Sequence, residues 1–326
     1  MLDVINQAYF SHGRTALKYG LNSINLVKKS KILVPDYICE IVNIAIKHSG
    51  YEVVSYPLKD NLQPNWKILN KINLKGVSAI LMVHYFGFPQ NISIFKKFCK
   101  KNKLYLIEDN AHGFSGTVKK KLLGTFGDVG FSSIRKNINI PYGGILYSQN
   151  INVKNISKKI RINYPYFCIQ EFLYRFPYIK IMIKKFILNR KKFEDPFSFR
   201  DTKLYNNSID NLSYDILKKI KIKEEKKKKI INYKIWISFL KKKKIHPIFK
   251  TPDNNLMIWC LPFYTKSKED SKKWFDWGHK NGITIFSWPQ IDIKYLKEKK
   301  ELLKRWERLV CLPLNIPEEY LKKICK

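Results

Sequence analysis

Apolar and polar positions along the first half of the chain fall into blocks that switch between two periods. KILVP at 31–35, EVVSYP at 52–57, VSAILMVHYFG at 77–87 and LYLIED at 104–109 are short, dense apolar runs and read as buried strands. Between them lie stretches with helical spacing: GRTALKYGLNSINLVK at 13–28, YICEIVNIAIKHSG at 37–50, the short NWKILNKI at 65–72, and ISIFKKFCKKNK at 92–103. Pro35 and Gly50 punctuate the blocks as strand and helix stops. This rhythm predicts an α/β fold, a mostly parallel sheet flanked by helices. Ligands of such sheets gather at the carboxyl ends of the strands, where His84 and Asp109 stand.

Beyond residue 150 the pattern changes. Residues 151–193 are aromatic and basic, and read as helical pieces broken at Pro165 and Pro177. Such a segment suits peripheral membrane contact, through 167–193, or a helix packed on the enzyme body or on a second subunit; packing is the favoured reading. Residues 211–240 carry one apolar stripe and read as a single long helix, with the EEKKKK run on a solvated face. From 245 the chain reads as a smaller α+β unit, with strands at 254–264 and 283–289 and a helix at 268–282. The expected division is a large domain over 1–240, with an atypical helical middle at 151–205, and a small one over 245–326.

Composition narrows the possibilities only in part. At 326 residues the chain is long enough for one large and one smaller domain, and a hydrophobic fraction of 45% is that of a globular protein. The net charge of +36 is extreme. No zinc-finger spacing or RNP-like motif accompanies it, so nucleic acid is not an expected partner. Lys, Asn and Ile are all abundant, which fits A+T-rich coding sequence at positions where surface identity is free. The six cysteines are scattered with no C-x-x-C, which suits buried thiols in a reducing cytoplasm and no metal site. The first residues lack the pattern of a secretory signal, and no run of 18 apolar residues is present, so neither export nor a spanning helix is expected.

Candidate chemistry concentrates in residues 104–148. Asp109 ends an apolar strand, with Glu108 before it facing the opposite way. Lys136 follows Phe131-Ser132-Ser133-Ile134-Arg135 and precedes Pro141-Tyr142-Gly143-Gly144. Upstream, Gly13-Arg14-Thr15-Ala16 opens a helix whose first amides suit a phosphate. A lysine, an acid and a phosphate-ready helix start are the set that pyridoxal phosphate needs: a covalent anchor, a partner for the ring nitrogen, and a phosphate cradle. Each element alone has a plainer reading. Lys136 is one lysine among dozens, Asp109 suits a helix cap or a loop carboxylate, and the helix start suits any helix.

The motifs in order resemble the DegT/DnrJ/EryC1/StrS family of pyridoxal-phosphate-dependent sugar aminotransferases. HGRTAL at 12–17, VPDYIC at 34–39, HYFGFP at 84–89, IEDNAHG at 107–113, LGTFGDVGFSS at 123–133, and Lys136 separated by six residues from Gly143-Gly144 are each similar to a family motif. The resemblance is firm over 12–148 and weaker over 205–240. It implies fold type I. It also implies Lys136 as the lysine that holds pyridoxal phosphate and shuttles the proton, and Asp109 as the partner of the ring nitrogen. His112 stands where the family usually has Gln near the ring hydroxyl. Arg14, Thr15 and Ser133 or Ser132 match phosphate-binding positions, and Asn206 or Asn207 matches an asparagine lent by a second subunit. Cys39 stands where many members place an aromatic against the ring; His84 and Tyr37 are substitutes for it, with His84 better read as a satisfied strand-end histidine. The implied activity is transfer of an amino group from an amino acid, glutamate by expectation, to a nucleotide-linked keto sugar, by a cytoplasmic homodimer serving polysaccharide synthesis. The retained lysine favours transamination over the family's dehydratase branch. The alternative is a non-transaminating relative acting as a binding or assembly protein in the same pathway.

Overall fold

The computed structural model describes residues 6–151, 159–186, 193, 195–197 and 201–326. Contacts divide the described residues into two units. The first takes those within 1–162, 201–220 and 255–257; the second takes those within 163–200, 221–254 and 258–326.

In chain order the first unit begins with β1 (Asn6–Phe10), α1 (Gly13–Leu21), β2 (Lys31–Pro35), α2 (Glu40–His48) and β3 (Glu52–Tyr56). It continues through α3 (Trp66–Leu69), β4 (Val77–Val83), α4 (Ile92–Asn102) and β5 (Tyr105–Asn110). A small hairpin of β6 (Thr117–Val118) and β7 (Lys121–Leu122) precedes β8 (Val129–Ser133) and β9 (Gly144–Ser148). Seven strands form one sheet in the order β1-β9-β8-β5-β4-β2-β3. The five from β8 to β3 pair in parallel; β9 runs antiparallel to both β8 and β1. The central strands are buried on both faces: Ile32, Leu33, Ile80, Leu81 and Ile107 are all fully enclosed. That is why they read as continuous apolar runs. β1, NQAYF, gives no such signal because it lies at the sheet edge, half-exposed over most of its length. Residues 207–209 run beside it, with Ser11 N–H donating to the Asn207 carbonyl and Ile209 N–H to that of Tyr9.

The later elements are α5 (Tyr164–Arg175), α6 (Pro177–Phe186), α7 (Asn211–Lys219), α8 (Ile222–Lys242), β10 (Cys260–Tyr264) and α9 (Lys268–Lys280). Then come α10 (Ile293–Glu298), α11 (Lys300–Arg308), β11 (Leu309–Pro313) and α12 (Glu318–Ile324). β10 and β11 pair antiparallel. The expected boundary at 240–245 gives way to one at 220–221, because α8 packs with the C-terminal elements. Trp236 and Phe239 lie 6.0 and 5.5 Å from the Trp277 ring. Trp236 Nε1 donates to the Pro313 carbonyl, and Asn232 Nδ2 to those of Leu314 and Ile316. The single helix expected over 211–240 is two, α7 and α8, broken where Ile220 turns extended at the passage between units. Pro165 lies in the first turn of α5 and Pro177 opens α6, so both prolines start helices, as their missing N–H allows. The strand expected over 254–264 is confined to Cys260–Tyr264, and 283–289 contributes only the bridge of Phe286 to Cys311. No helix among the described residues is long and apolar enough to cross a membrane. The membrane reading of 167–193 falls partly outside them, at 187–192.

Candidate active site

The end of β5 sends its two acids to opposite faces of the sheet. Glu108 is fully buried. Its Oε1 accepts from His84 Nε2 and the Gly124 N–H, both at 2.7 Å, and its Oε2 from the N–H groups of Phe126 at 2.6 Å and Gly127 at 2.9 Å. His84 Nδ1 accepts from the Gln90 N–H at 3.1 Å, which puts the ring hydrogen on Nε2. A neutral imidazole therefore donates into an ionised carboxylate. Burial raises the Glu108 pKa, but the His84 bond and the amide donors outweigh it and leave the group below its ordinary value. Glu108 thus ties the LGTFGD loop to the sheet, and His84 is a satisfied strand-end histidine.

Asp109 lies on the other face and is 5% exposed. Its Oδ1 accepts from the Ala111 N–H at 2.8 Å, while its second oxygen accepts no hydrogen bond among the described residues. Burial pushes its pKa up to about 6, against the pull of the Ala111 amide and the charge of Lys136. His112 follows on the same loop. Its Nδ1 accepts from the Phe86 N–H at 3.0 Å, and its ring stacks on Phe86 at 5.7 Å. That N–H is aimed by a left-handed backbone at Phe86, φ 56°, a conformation rare for a bulky side chain. Burial, and then the charge of Lys136, hold the imidazole well below its usual pKa, so it is neutral with its hydrogen on Nε2.

Lys136 ends a single 3₁₀ turn, Ile134–Lys136, after β8. Its charge acts on both Asp109 and His112, so the fold gathers all three groups at the carboxyl ends of β5 and β8. Two asparagines, not singled out from the sequence, hold this arrangement. Asn137 Nδ2 donates to the His112 carbonyl at 2.9 Å, tying the lysine turn to the histidine loop. Asn110 Nδ2 donates to the carbonyls of Gly113 and Leu123. Their only sequence signal is position, each directly after a candidate catalytic residue.

The helix start meets the same strand. Alternation along β8 sends Ser132 into the core, with its hydroxyl 3.3 Å from Asn110 Nδ2, and Ser133 to the face that α1 covers. A Cβ on Gly13 would lie 3.3 Å from that of Ser133. A Cβ on Gly144 would lie 2.2 Å from the His12 carbonyl oxygen, so the chain entering α1 passes over Gly144 at a distance only glycine permits. The first amides of α1, at Gly13 and Arg14, have no acceptor within the helix. The side chains there are engaged elsewhere. Arg14 pairs with the Asp201 carboxylate at 2.7 Å and donates to the Lys203 carbonyl at 2.8 Å. The Thr15 hydroxyl donates to the Tyr205 carbonyl at 3.0 Å, and Lys18 Nζ to Asn206 Oδ1 at 2.7 Å. Cys39 caps the start of α2 and is half-buried. Tyr37 and His84 are fully buried, and both ring nitrogens of His84 are engaged, by Glu108 and the Gln90 N–H.

A sequence model of the DegT/DnrJ/EryC1/StrS aminotransferase family matches residues 6–163. The chain is 29% identical over 153 residues to the GDP-perosamine synthase of Vibrio cholerae, a match covering 46% of this chain and 41% of that protein. It thus spans about two-fifths of that relative's length. Among solved structures, Helicobacter pylori PseC, an aminotransferase involved in the biosynthesis of pseudoaminic acid, shares the fold. The TM-score is 0.67 at 18% identity, over 98% of this chain and 85% of that one. Escherichia coli GDP-4-keto-6-deoxy-D-mannose-3-dehydratase, solved with bound hydrated PLP, shares it with a TM-score of 0.63 at 18% identity, over 98% and 87% of the two chains. Over residues 6–163, just under half of its length, the chain is similar to the DegT/DnrJ/EryC1/StrS aminotransferase family.

Proposed function

We propose that this protein is a pyridoxal-phosphate-dependent aminotransferase that moves an amino group from an amino acid, glutamate by preference, to a nucleotide-linked keto sugar. We place it in the cytoplasm, acting as a homodimer in polysaccharide synthesis. The carrying observation is the convergence of Lys136, Asp109 and His112, with one oxygen of Asp109 accepting no hydrogen bond among the described residues. The residues present fit the cofactor. An acceptor awaits a cationic ring N–H at Asp109, a neutral imidazole carries its hydrogen on Nε2, and a helix start lies against Ser133.

When bound, pyridoxal phosphate supplies an electron sink for the pair left by a broken Cα–H bond. The chain's own residues do the rest. Lys136 Nζ would anchor the cofactor and would serve as the base that takes the donor's α-proton and the acid that returns it. Asp109 holds the ring nitrogen protonated, and the cationic ring in turn favours the charged carboxylate that burial alone disfavours. His112 donates from Nε2 to the ring oxygen. Gly13 and Arg14 amides with the Ser133 hydroxyl receive the phosphate. The Arg14 and Thr15 side chains join them by exchanging their bonds to Asp201 and the Tyr205 carbonyl. Asn206 or Asn207 of a second copy completes the phosphate site, and Cys39 borders the ring.

The test is spectroscopic. Protein incubated with pyridoxal phosphate is expected to show a visible absorbance band that borohydride bleaches, with the label on Lys136. Lys136→Ala is expected to lose the band and to lose amino transfer from glutamate to a panel of nucleotide-linked keto sugars. A wild type that binds no pyridoxal phosphate would overturn the reading in favour of a binding or assembly role; a variant with full transfer would overturn the lysine assignment.

A further inference from the structure

We propose that α5 and α6 form a surface that lies in the plane of an anionic lipid bilayer. Both helices are built inside out. In α5 only Phe167 is buried, while Tyr166, Ile169 and Phe172 follow at spacings of three, and Phe176 after four more, with exposures of 60%, 60%, 48% and 49%. That spacing sets the four on one side of the helix. The Phe172 and Phe176 rings lie 4.9 Å apart, carrying the stripe to the join with α6.

The rotation of α6 is fixed by its inner face. Ile181 is buried against Gly282, where an added Cβ would lie 2.5 Å from the Ile181 carbonyl oxygen. Lys184 Nζ donates to the Thr284 hydroxyl, and Lys185 lies over the Tyr320 ring. With that side held, Tyr178, Met182 and Phe186, at spacings of four, are 52%, 60% and 80% exposed. Together α5, its Phe176 cap and α6 carry ten of the fourteen large apolar side chains exposed among the described residues. An apolar concentration of this kind marks an interaction surface.

Charge selects the occupant. Residues 163–186 hold Arg175, Lys180, Lys184 and Lys185 against one acid, Glu171, on a chain of net charge +36. A second copy pairing through this face would set like charge on like. An anionic bilayer offers the complement: acyl chains and headgroups for the tyrosines and phenylalanines, and phosphates for Lys180, the exposed lysine of α6. At 12 and 10 residues, α5 and α6 are too short to span the bilayer and suit its interface. The proposal does not depend on the amino-transfer reading.

The test is cosedimentation of the full chain with vesicles. Binding is expected to vesicles of phosphatidylglycerol mixed with phosphatidylcholine, to weaken with added salt, and to be at least tenfold weaker to phosphatidylcholine alone. The triple variant Ile169→Asn, Phe172→Asn, Met182→Asn removes only exposed groups and is expected to lose binding at least tenfold with an unchanged near-ultraviolet circular dichroism spectrum. Lys180→Glu, which leaves the apolar stripe whole, is expected to weaken binding to the anionic vesicles. A wild type that ignores anionic vesicles, or a triple variant that binds them as well as wild type, overturns the proposal. So does a triple variant that turns a dimer into a monomer in sedimentation velocity, since the face would then be a subunit contact.

Discussion

Asp109 sits in the protein at a cost that the cofactor would offset. Burial raises its pKa from 3.8 to about 6. For an acid raised on folding, the native state holds its proton more tightly than the unfolded chain does. The associated stability is complete below pH 3.8 and is lost as pH rises through 6. A shift of about two units corresponds to roughly 3 kcal/mol, so Asp109→Asn is expected to stabilise the cofactor-free protein by about 1–3 kcal/mol at pH 8. The gain should shrink towards zero near pH 4, and the same variant should bind pyridoxal phosphate far more weakly. Thermal denaturation of wild type and variant across that range reads the difference; a variant less stable than wild type at pH 8 would show that the pull of Lys136 outweighs burial. The gathering of Asp109 and Lys136 at the carboxyl ends of β5 and β8 was legible in sequence because strand alternation and ordered motifs both point to them. Those of Asn110, Asn137 and the left-handed Phe86 were not. Their partners are backbone groups brought near by the fold, and side-chain chemistry alone does not announce a bond to a carbonyl 25 residues away.

At the scale of elements, motifs that look like chemistry divide into working residues and wiring. HYFGFP and LGTFGDVG resemble site motifs, yet His84, Glu108 and Gly124 form one buried network joining β4, β5 and the loop before β8. Glu108→Ala would strand His84 Nε2 and three backbone N–H groups in the interior. Breaking a buried hydrogen-bonded pair by removing one partner costs about 3–5 kcal/mol, and urea unfolding should show a loss of that size. A loss below about 1 kcal/mol would mean that water reaches the network. Glu108→Gln keeps the shape and one donor-acceptor pair but turns an amide hydrogen towards N–H donors, so a smaller loss is expected from it. The same division explains which elements could be read. β2, β4 and β5 are enclosed on both faces and write apolar runs, while β1 lies at an edge and takes its place by pairing with β9. That Gly144 admits a close approach, from the His12 carbonyl, is visible only in the fold.

The whole molecule departs from its sequence reading most where long-range packing decides. The run 211–240 carries a continuous apolar stripe, but its two ends serve different cores, and the chain breaks at Ile220 without glycine or proline. No local rule marks such a break, because helix propensity is uniform across it. The cysteines offer a test that spans both units. Cys99, Cys260, Cys311 and Cys325 are buried, Cys39 is half-buried and Cys168 is exposed. Burial pushes the thiols of Cys99 and Cys325 up to about 12. Since the thiolate is the reactive form, a disulfide reagent at pH 8 is expected to titrate Cys168 quickly, Cys39 more slowly, and the other four only after denaturation. Pyridoxal phosphate adds a second reading to the same curve. If Cys39 borders the ring, the cofactor slows the second thiol. Equal protection of both would point to a change of the whole molecule, and protection of neither would take Cys39 out of the cofactor site.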